Sequence, residues 1–157
     1  MRKRIVSLHP PATSPVSGEW LNVAELAQVE VSSEDETHVI ESALALNSSG
    51  GWRASGPGEQ AIRLIFDRPQ QIKRIVVVFE EHEYQRTQEF TLRWSPGRES
   101  DYREIVRQQW NFSPPQNSTE VEDYRVDLDG VAALELKIVP DISRGQARAS
   151  LKRLRLS

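Results

Sequence analysis

Two short stretches carry the residue types that could hold a polyhydroxylated ligand. Glu80-Glu-His-Glu-Tyr-Gln-Arg86 places His82, Tyr84 and Arg86 within five residues, and Gln109-Trp-Asn-Phe112 adds Trp110 and Asn111. A sugar is held by an aromatic face laid against its C–H groups, together with planar polar side chains that donate to and accept from neighbouring hydroxyls. These five residues supply both kinds of group. The same stretch also reads as a solvated hairpin whose acidic residues guard the apolar run 75–79 against aggregation. The site reading requires the two stretches to converge on one concave surface.

Other chemistries find little support. The chain has no cysteine, which excludes disulfides, thiol nucleophiles, iron–sulfur clusters and thiolate zinc sites. His9, His38 and His82 have no metal-ligand spacing. There is no Gly-x-Ser-x-Gly elbow, phosphate-cradling glycine loop or dinucleotide fingerprint. A non-enzymatic protein without a metal site is therefore expected.

Charge is nearly balanced, with 20 Lys and Arg against 23 Asp and Glu for a net −3, but it is unevenly placed. Acidic residues gather at 30–41 and 80–83, and basic ones at 2–4 and toward the C-terminus, at Arg144, Arg148, Lys152, Arg153 and Arg155. The C-terminal group could form a patch for an acidic protein surface, anionic lipid or nucleic acid. Nucleic acid is disfavoured, because no exposed aromatics interleave with the basic residues for base stacking. A charged sheet edge that discourages strand pairing accounts for the same residues.

These residues must be positioned by strands. Period-two alternation runs through Ile62, Leu64 and Phe66, through Phe90, Leu92 and Trp94, through Tyr124, Val126 and Leu128, and through Ala132, Leu134, Leu136 and Ile138. The run Ile75-Val-Val-Val-Phe79 is apolar on both faces, as in a central strand. Asp129-Gly130 between two runs predicts a hairpin turn. Further strands are expected at 4–8 and 27–32, and prolines at 10, 11 and 15 mark a loop before Trp20. Ser33 with Glu36 suggests a capping box ahead of a short helix bearing Val39, Ile40, Ala43 and Leu44. In 149–156 the alternation slips, since Ala149 and Leu151 differ in parity from Leu154 and Leu156, and a β-bulge at Lys152-Arg153 would restore one inward face. Trp52 and Trp94 are expected in the core.

The sum is one all-β domain over residues 1–157, an antiparallel jelly-roll β-sandwich of about eight strands with one short helix. Its first 25 residues form an N-terminal strand and loop. No apolar segment of signal-peptide or membrane-spanning length appears, so a cytoplasmic protein without a transmembrane segment is expected. The Asn-x-Ser/Thr patterns at Asn47, Asn111 and Asn117 then carry no weight.

Several of these motifs, in this order, resemble the discoidin or factor 5/8 type C domain. They are Val29-Glu-Val-Ser-Ser-Glu34, a Gly/Ser loop ending in Gly51-Trp-Arg-Ala-Ser55, Glu59-Gln-Ala-Ile-Arg-Leu-Ile-Phe66, Ile72-Lys-Arg-Ile-Val-Val-Val78 and the closing Ala149-Ser-Leu-Lys-Arg-Leu-Arg-Leu156. The likeness covers roughly residues 26–157. It implies a galactose-binding-like sandwich without catalytic machinery that presents loops at one end to sugars, anionic lipid or proteins. A similar domain opens the eukaryotic scaffold of DNA single-strand-break repair, which also has Trp-Arg-Ala before its sheet. Many members hold a structural calcium ion between an Asp-Gly turn and an acidic residue of the last strand. Here the loop is Asn47-Ser-Ser-Gly-Gly51 and the last strand offers Arg153, so the calcium site is expected to be lost. Carbohydrate is the expected ligand; a protein partner docked on a sheet face or on the basic edge is the alternative.

Overall fold

The computed structural model describes residues 20–97 and 101–157. The strand expected at 4–8, the proline loop and the basic residues 2–4 lie outside them. Eight strands follow in chain order: β1 (Ala27–Val31), β2 (Trp52–Pro57), β3 (Gln60–Glu80), β4 (Arg86–Ser95), β5 (Arg103–Phe112), β6 (Thr119–Val139), β7 (Arg148–Leu151) and β8 (Arg153–Leu156). Two one-turn helices, α1 (Val23–Leu26) and α2 (Glu41–Leu44), complete the described elements.

Among the described residues all strand pairings are antiparallel, and two long strands organise them. β3 and β6, 21 residues each, pair along their whole length. The first half of β3 joins β1 and the second half of β6, which is followed by β4 and β5. The second half of β3 joins the first half of β6 and β8. β2 pairs with β7, which leads directly into β8. The long strands thus belong to both layers of a β-sandwich. They change layer where their register shifts, between Ile65 and Arg74 of β3.

That shift explains the sequence. In the first half of β3 the most deeply buried residues are even-numbered (Ile62, Leu64, Phe66), and in the second half odd-numbered (Ile75, Val77, Phe79), with Ile65 and Val78 on the opposite face less completely covered. Irregularities at the layer change reset the phase, so each half presents its apolar face to the same interior. These six side chains, with Trp52, Phe90, Leu92, Leu134, Leu136, Ile138, Leu154 and Leu156, are at most 1% exposed and form the core. Phe79 and Phe90 meet with ring centroids 5.1 Å apart.

The hairpin expected at Asp129-Gly130 is not formed. β6 runs straight through it, and Gly130, at φ 74°, sits where the register with β3 shifts. A glycine with positive φ serves a bulge as well as a turn, so the dipeptide signalled the backbone conformation but not its context. The capping box is likewise absent. Ser33 Oγ donates to Gln60 Oε1 at 2.8 Å, and Glu34 Oε1 accepts the Ile40 N–H, leaving only the single turn α2. The bulge expected at Lys152-Arg153 is instead a break between strands, because the chain bends at Lys152 and passes from β7, paired with β2, to β8, paired with β3. Trp52 is buried, and Trp94 is half-buried against the core with the Arg103 guanidinium over its ring.

Gly51 lies where the chain enters β2 against the β7–β8 junction. A Cβ there would stand 2.8 Å from the Leu151 carbonyl oxygen and 3.1 Å from Lys152 Cα. Both obstacles are backbone and cannot swing aside. Gly51→Ala is expected to cost about 1–3 kcal/mol, read as a lower midpoint in urea; a midpoint within error of the parent would show that the junction yields freely.

Candidate functional site

The two candidate stretches converge through the β4–β5 register, which pairs Arg86 with Phe112 and Thr87 with Asn111. Residues 85–87 and 111–113, with residues 141–143 from the loop after β6, line a cleft of about 610 Å³. Of the five ligand-binding candidates, Arg86 and Asn111 line this cleft. Tyr84 points outward, 53% exposed. Trp110 has the inward parity of its strand, packs against the core and buries an unpartnered Nε1, so it is not a stacking platform for ligand. His82 is 68% exposed and opens into a different cleft.

Arg86 is only 3% exposed and acts mainly inside the fold. Its Nε donates to Glu81 Oε1 at 2.6 Å, its Nη1 donates to the Pro140 carbonyl at 2.7 Å and to Gln88 Oε1, and the guanidinium lies 4.7 Å above the Phe112 ring. Glu81 also accepts the backbone N–H groups of Glu83 and Tyr84. Burial pushes the Glu81 carboxyl up, but these backbone donors and Arg86 outweigh it and hold the pKa below the ordinary value. The pair therefore fixes the loop 81–84. Below it, Gln88 Nε2 donates to Glu120 Oε1, while Glu120 Oε2 and Arg86 Nη2 are buried without partners.

The second cleft lies along the edges of β2 and β7. His38, Arg53, Glu80, His82, Ser150 and Lys152 line one part of it, and Glu81, Glu83 and Arg148 line the part that continues from Arg53 and Glu80. The β2 pleat makes this arrangement, turning Trp52 and Ala54 into the core and Arg53 outward. Arg53 Nε is buried with no hydrogen-bond partner. Glu80 Oε1 lies 3.4 Å from His82 Nε2. Across the cleft, Thr37 donates from its backbone N–H and its hydroxyl to Asp35, lowering the Asp35 pKa. The Thr37 hydroxyl also meets His38 Nδ1 at 2.9 Å. The cleft thus offers guanidinium and ammonium donors, carboxylate acceptors and two imidazoles on one surface. Of these groups the sequence had singled out His82 as a sugar ligand and Arg148 and Lys152 as members of a basic patch; Arg53 carried a signal in its parity opposite Trp52, but nothing local showed that β7 would bring Ser150 beside it.

The basic residues expected as a patch are dispersed into structural roles. Arg155 is 6% exposed, and its guanidinium donates to the carbonyls of Ala43, Leu44, Ala45 and Leu154. Arg148 Nη1 faces Asp35 at 3.4 Å and the Ala54 carbonyl at 3.3 Å, and Lys152 Nζ donates to the Ser49 carbonyl at 2.7 Å. Arg153 is half-buried beside a shallow apolar groove that includes Trp20, Leu46, Val76 and Val78. The calcium ion implied by the resemblance does not fit these residues. Carbonyls of the 43–49 segment already receive two cationic side chains, and no three acidic or imidazole ligands gather among the described residues.

No family model matches the chain, and no curated protein matches it in sequence. Solved structures share its fold. The family 32 carbohydrate-binding module of C. perfringens NanJ, in complex with galactose, aligns over 87% of this chain and 96% of its own with a TM-score of 0.64 and 12% identity. A pectin-binding carbohydrate-binding module aligns over 84% of this chain and 90% of its own, with a TM-score of 0.61 and 16% identity. XRCC1, bound to the catalytic domain of DNA polymerase β, aligns over 84% of this chain and 95% of its own, with a TM-score of 0.59 and 19% identity. The chain therefore has the galactose-binding-like sandwich fold of family 32 carbohydrate-binding modules. At these identities the likeness is one of fold, and function rests on the site.

Proposed function

We propose that the protein is a non-catalytic carbohydrate-binding module that takes a neutral sugar in the cleft between β2, β7 and the loop 80–84. The observation that carries this reading is the unsatisfied pairing of Arg53 with Glu80. A guanidinium with a buried, unpartnered Nε and a carboxylate line one cleft without forming an ion pair with each other. Two adjacent hydroxyls complete such an arrangement, one accepting from Arg53 and the other donating to Glu80, and both bonds are charge-assisted. His38 and His82 add planar donors or acceptors at the rim. The galactose-bound and pectin-binding neighbours described above support the reading through their fold, and the carbohydrate expected from the sequence is kept with His82 but with Arg53, Glu80 and His38 in place of the other side chains expected.

Glycan-array screening followed by calorimetry tests the proposal. The parent should bind a neutral glycan, and Arg53→Ala should weaken it by about 10–100-fold, as loss of a hydrogen bond to a charged group requires. Trp110→Ala would instead act on the core. A parent that binds no glycan at millimolar concentration, or an Arg53→Ala variant that binds as the parent does, overturns the reading.

A further inference from the structure

We infer that the cleft beside Asn111 is a second subsite continuous with the Arg53 cleft, so that the ligand is an oligosaccharide chain and not a single terminal sugar. The inference rests on the carbohydrate reading above and extends it. Its basis is that the two clefts share a wall. Glu81 lines the Arg53 side and Arg86 lines the Asn111 side, and the two are joined by a 2.6 Å ion pair. Above this buried pair, Glu83 lines the first cleft and Gln85 the second, so a chain leaving one cleft for the other crosses only the loop around Tyr84.

The second cleft has the groups a sugar needs. Thr87 Oγ1 donates to Asn111 Oδ1 at 2.6 Å, which fixes the amide and leaves its Nδ2 as a donor on an exposed residue. Asp141 presents a carboxylate whose Oδ1 accepts from Ser143, and Ile142, 48% exposed, offers an apolar surface beside it. In the wall, Arg86 is almost wholly buried, yet its Nη2 has no partner. Both subsites have room for sugar rings. The Arg53 side consists of two adjoining openings of about 290 and 260 Å³ that share Arg53, Glu80, His82 and Ser150, where ligand pockets usually span about 300–1,000 Å³. The Asn111 side, at about 610 Å³, lies well inside that range. An exposed isoleucine at a loop tip also gains a role, as the platform for a second ring.

The test is calorimetry with ladders of galacto-, manno- and gluco-oligosaccharides of one, two, four and six residues. For the ladder that binds, affinity should rise about tenfold from the shortest bound member to the four-residue member and then level off. Asn111→Ala and Ile142→Ser, both at exposed positions, should abolish this gain while leaving the shortest ligand's affinity unchanged. Arg53→Ala should weaken every length. Affinity independent of length, or Asn111 and Ile142 variants that weaken short and long ligands equally, overturns the second subsite while leaving the first in place. Absence of binding to all three ladders overturns both readings.

Discussion

Arg155→Ala should destabilise the protein by about 3–5 kcal/mol, because it strips several backbone carbonyl acceptors of their donor at roughly 1–3 kcal/mol each. The guanidinium donates to Ala43 at 3.0 Å, to Ala45 at 2.9 Å and to Leu154 at 2.9 Å, and approaches Leu44 at 3.5 Å. The first two carbonyls and that of Leu44 belong to the C-terminal end of α2, where a helix leaves its last carbonyls without intrahelical donors. They face inward, so water cannot replace the arginine. Burial lowers the Arg155 pKa from its ordinary value, and Arg153 adds to the effect, yet the group keeps its charge and meets the negative end of the turn. For a chain of this size the loss corresponds to a fall in melting temperature of roughly 6–20 °C. Arg155→Lys should recover less than half of it, because an ammonium cannot present a planar fork to three carbonyls. Urea unfolding measures both variants. A loss below 1 kcal/mol for Arg155→Ala would mean that α2 finds other donors.

The second large effect is a dependence of stability on pH that originates at Glu120. This carboxyl is fully buried, with Gln88 as donor to one oxygen and none to the other. Burial is the largest cause raising its pKa and the neighbouring Glu122 adds to it, Gln88 and the Arg86 charge partly oppose the shift, and the net value is about 8. The folded state therefore holds a proton that the unfolded chain releases near pH 4.5. Between those values the native state binds more protons, so stability falls as pH rises, by at most about 1.4 kcal/mol per unit, and levels off above about pH 8. Glu81 and Asp123 have lowered values, so their contributions are complete above the ordinary carboxylate range and add no slope in this window. Glu120→Gln should flatten the profile and be the more stable protein at pH 8.5 by a few kcal/mol, of the order expected for an ionised carboxylate relieved of burial. Urea midpoints from pH 5.5 to 8.5 for parent and variant check this. Parallel curves would place the titration elsewhere.

Much of the fold was legible because it depends on local alternation. The inward faces at 62–66, 90–92 and 134–138 are those read from the pattern, and the slip at Lys152-Arg153 marks the passage from the β2 partnership to the β3 partnership. The continuity of β3 and β6 was not legible. A bulge and a turn make the same demand on Gly130, and only the partner strand distinguishes them.

The site was legible in part. The loop 80–86 and the neighbourhood of 111 do meet, because β4 and β5 pair at Arg86 and Phe112. Arg86 looked like a ligand-binding group, since an arginine in a polar loop carries no local sign that Glu81, Pro140 and Phe112 will enclose it. Trp110 looked exposed for the same reason. The basic C-terminal strand looked like a surface, but the turn of α2 folds over Arg155 and the 47–51 loop engages Lys152.

The sequence by itself determined the strands, their inward faces and the absence of thiol chemistry, because these follow from residue type and from spacing along one chain. The tertiary structure decided which charges face solvent and which are enclosed. It also brought Arg53, Glu80, His82 and Ser150, from three separate segments, to one cleft. Burial and convergence are relations between strands distant in sequence, set by the layer change of two long strands, and no window along the chain contains them.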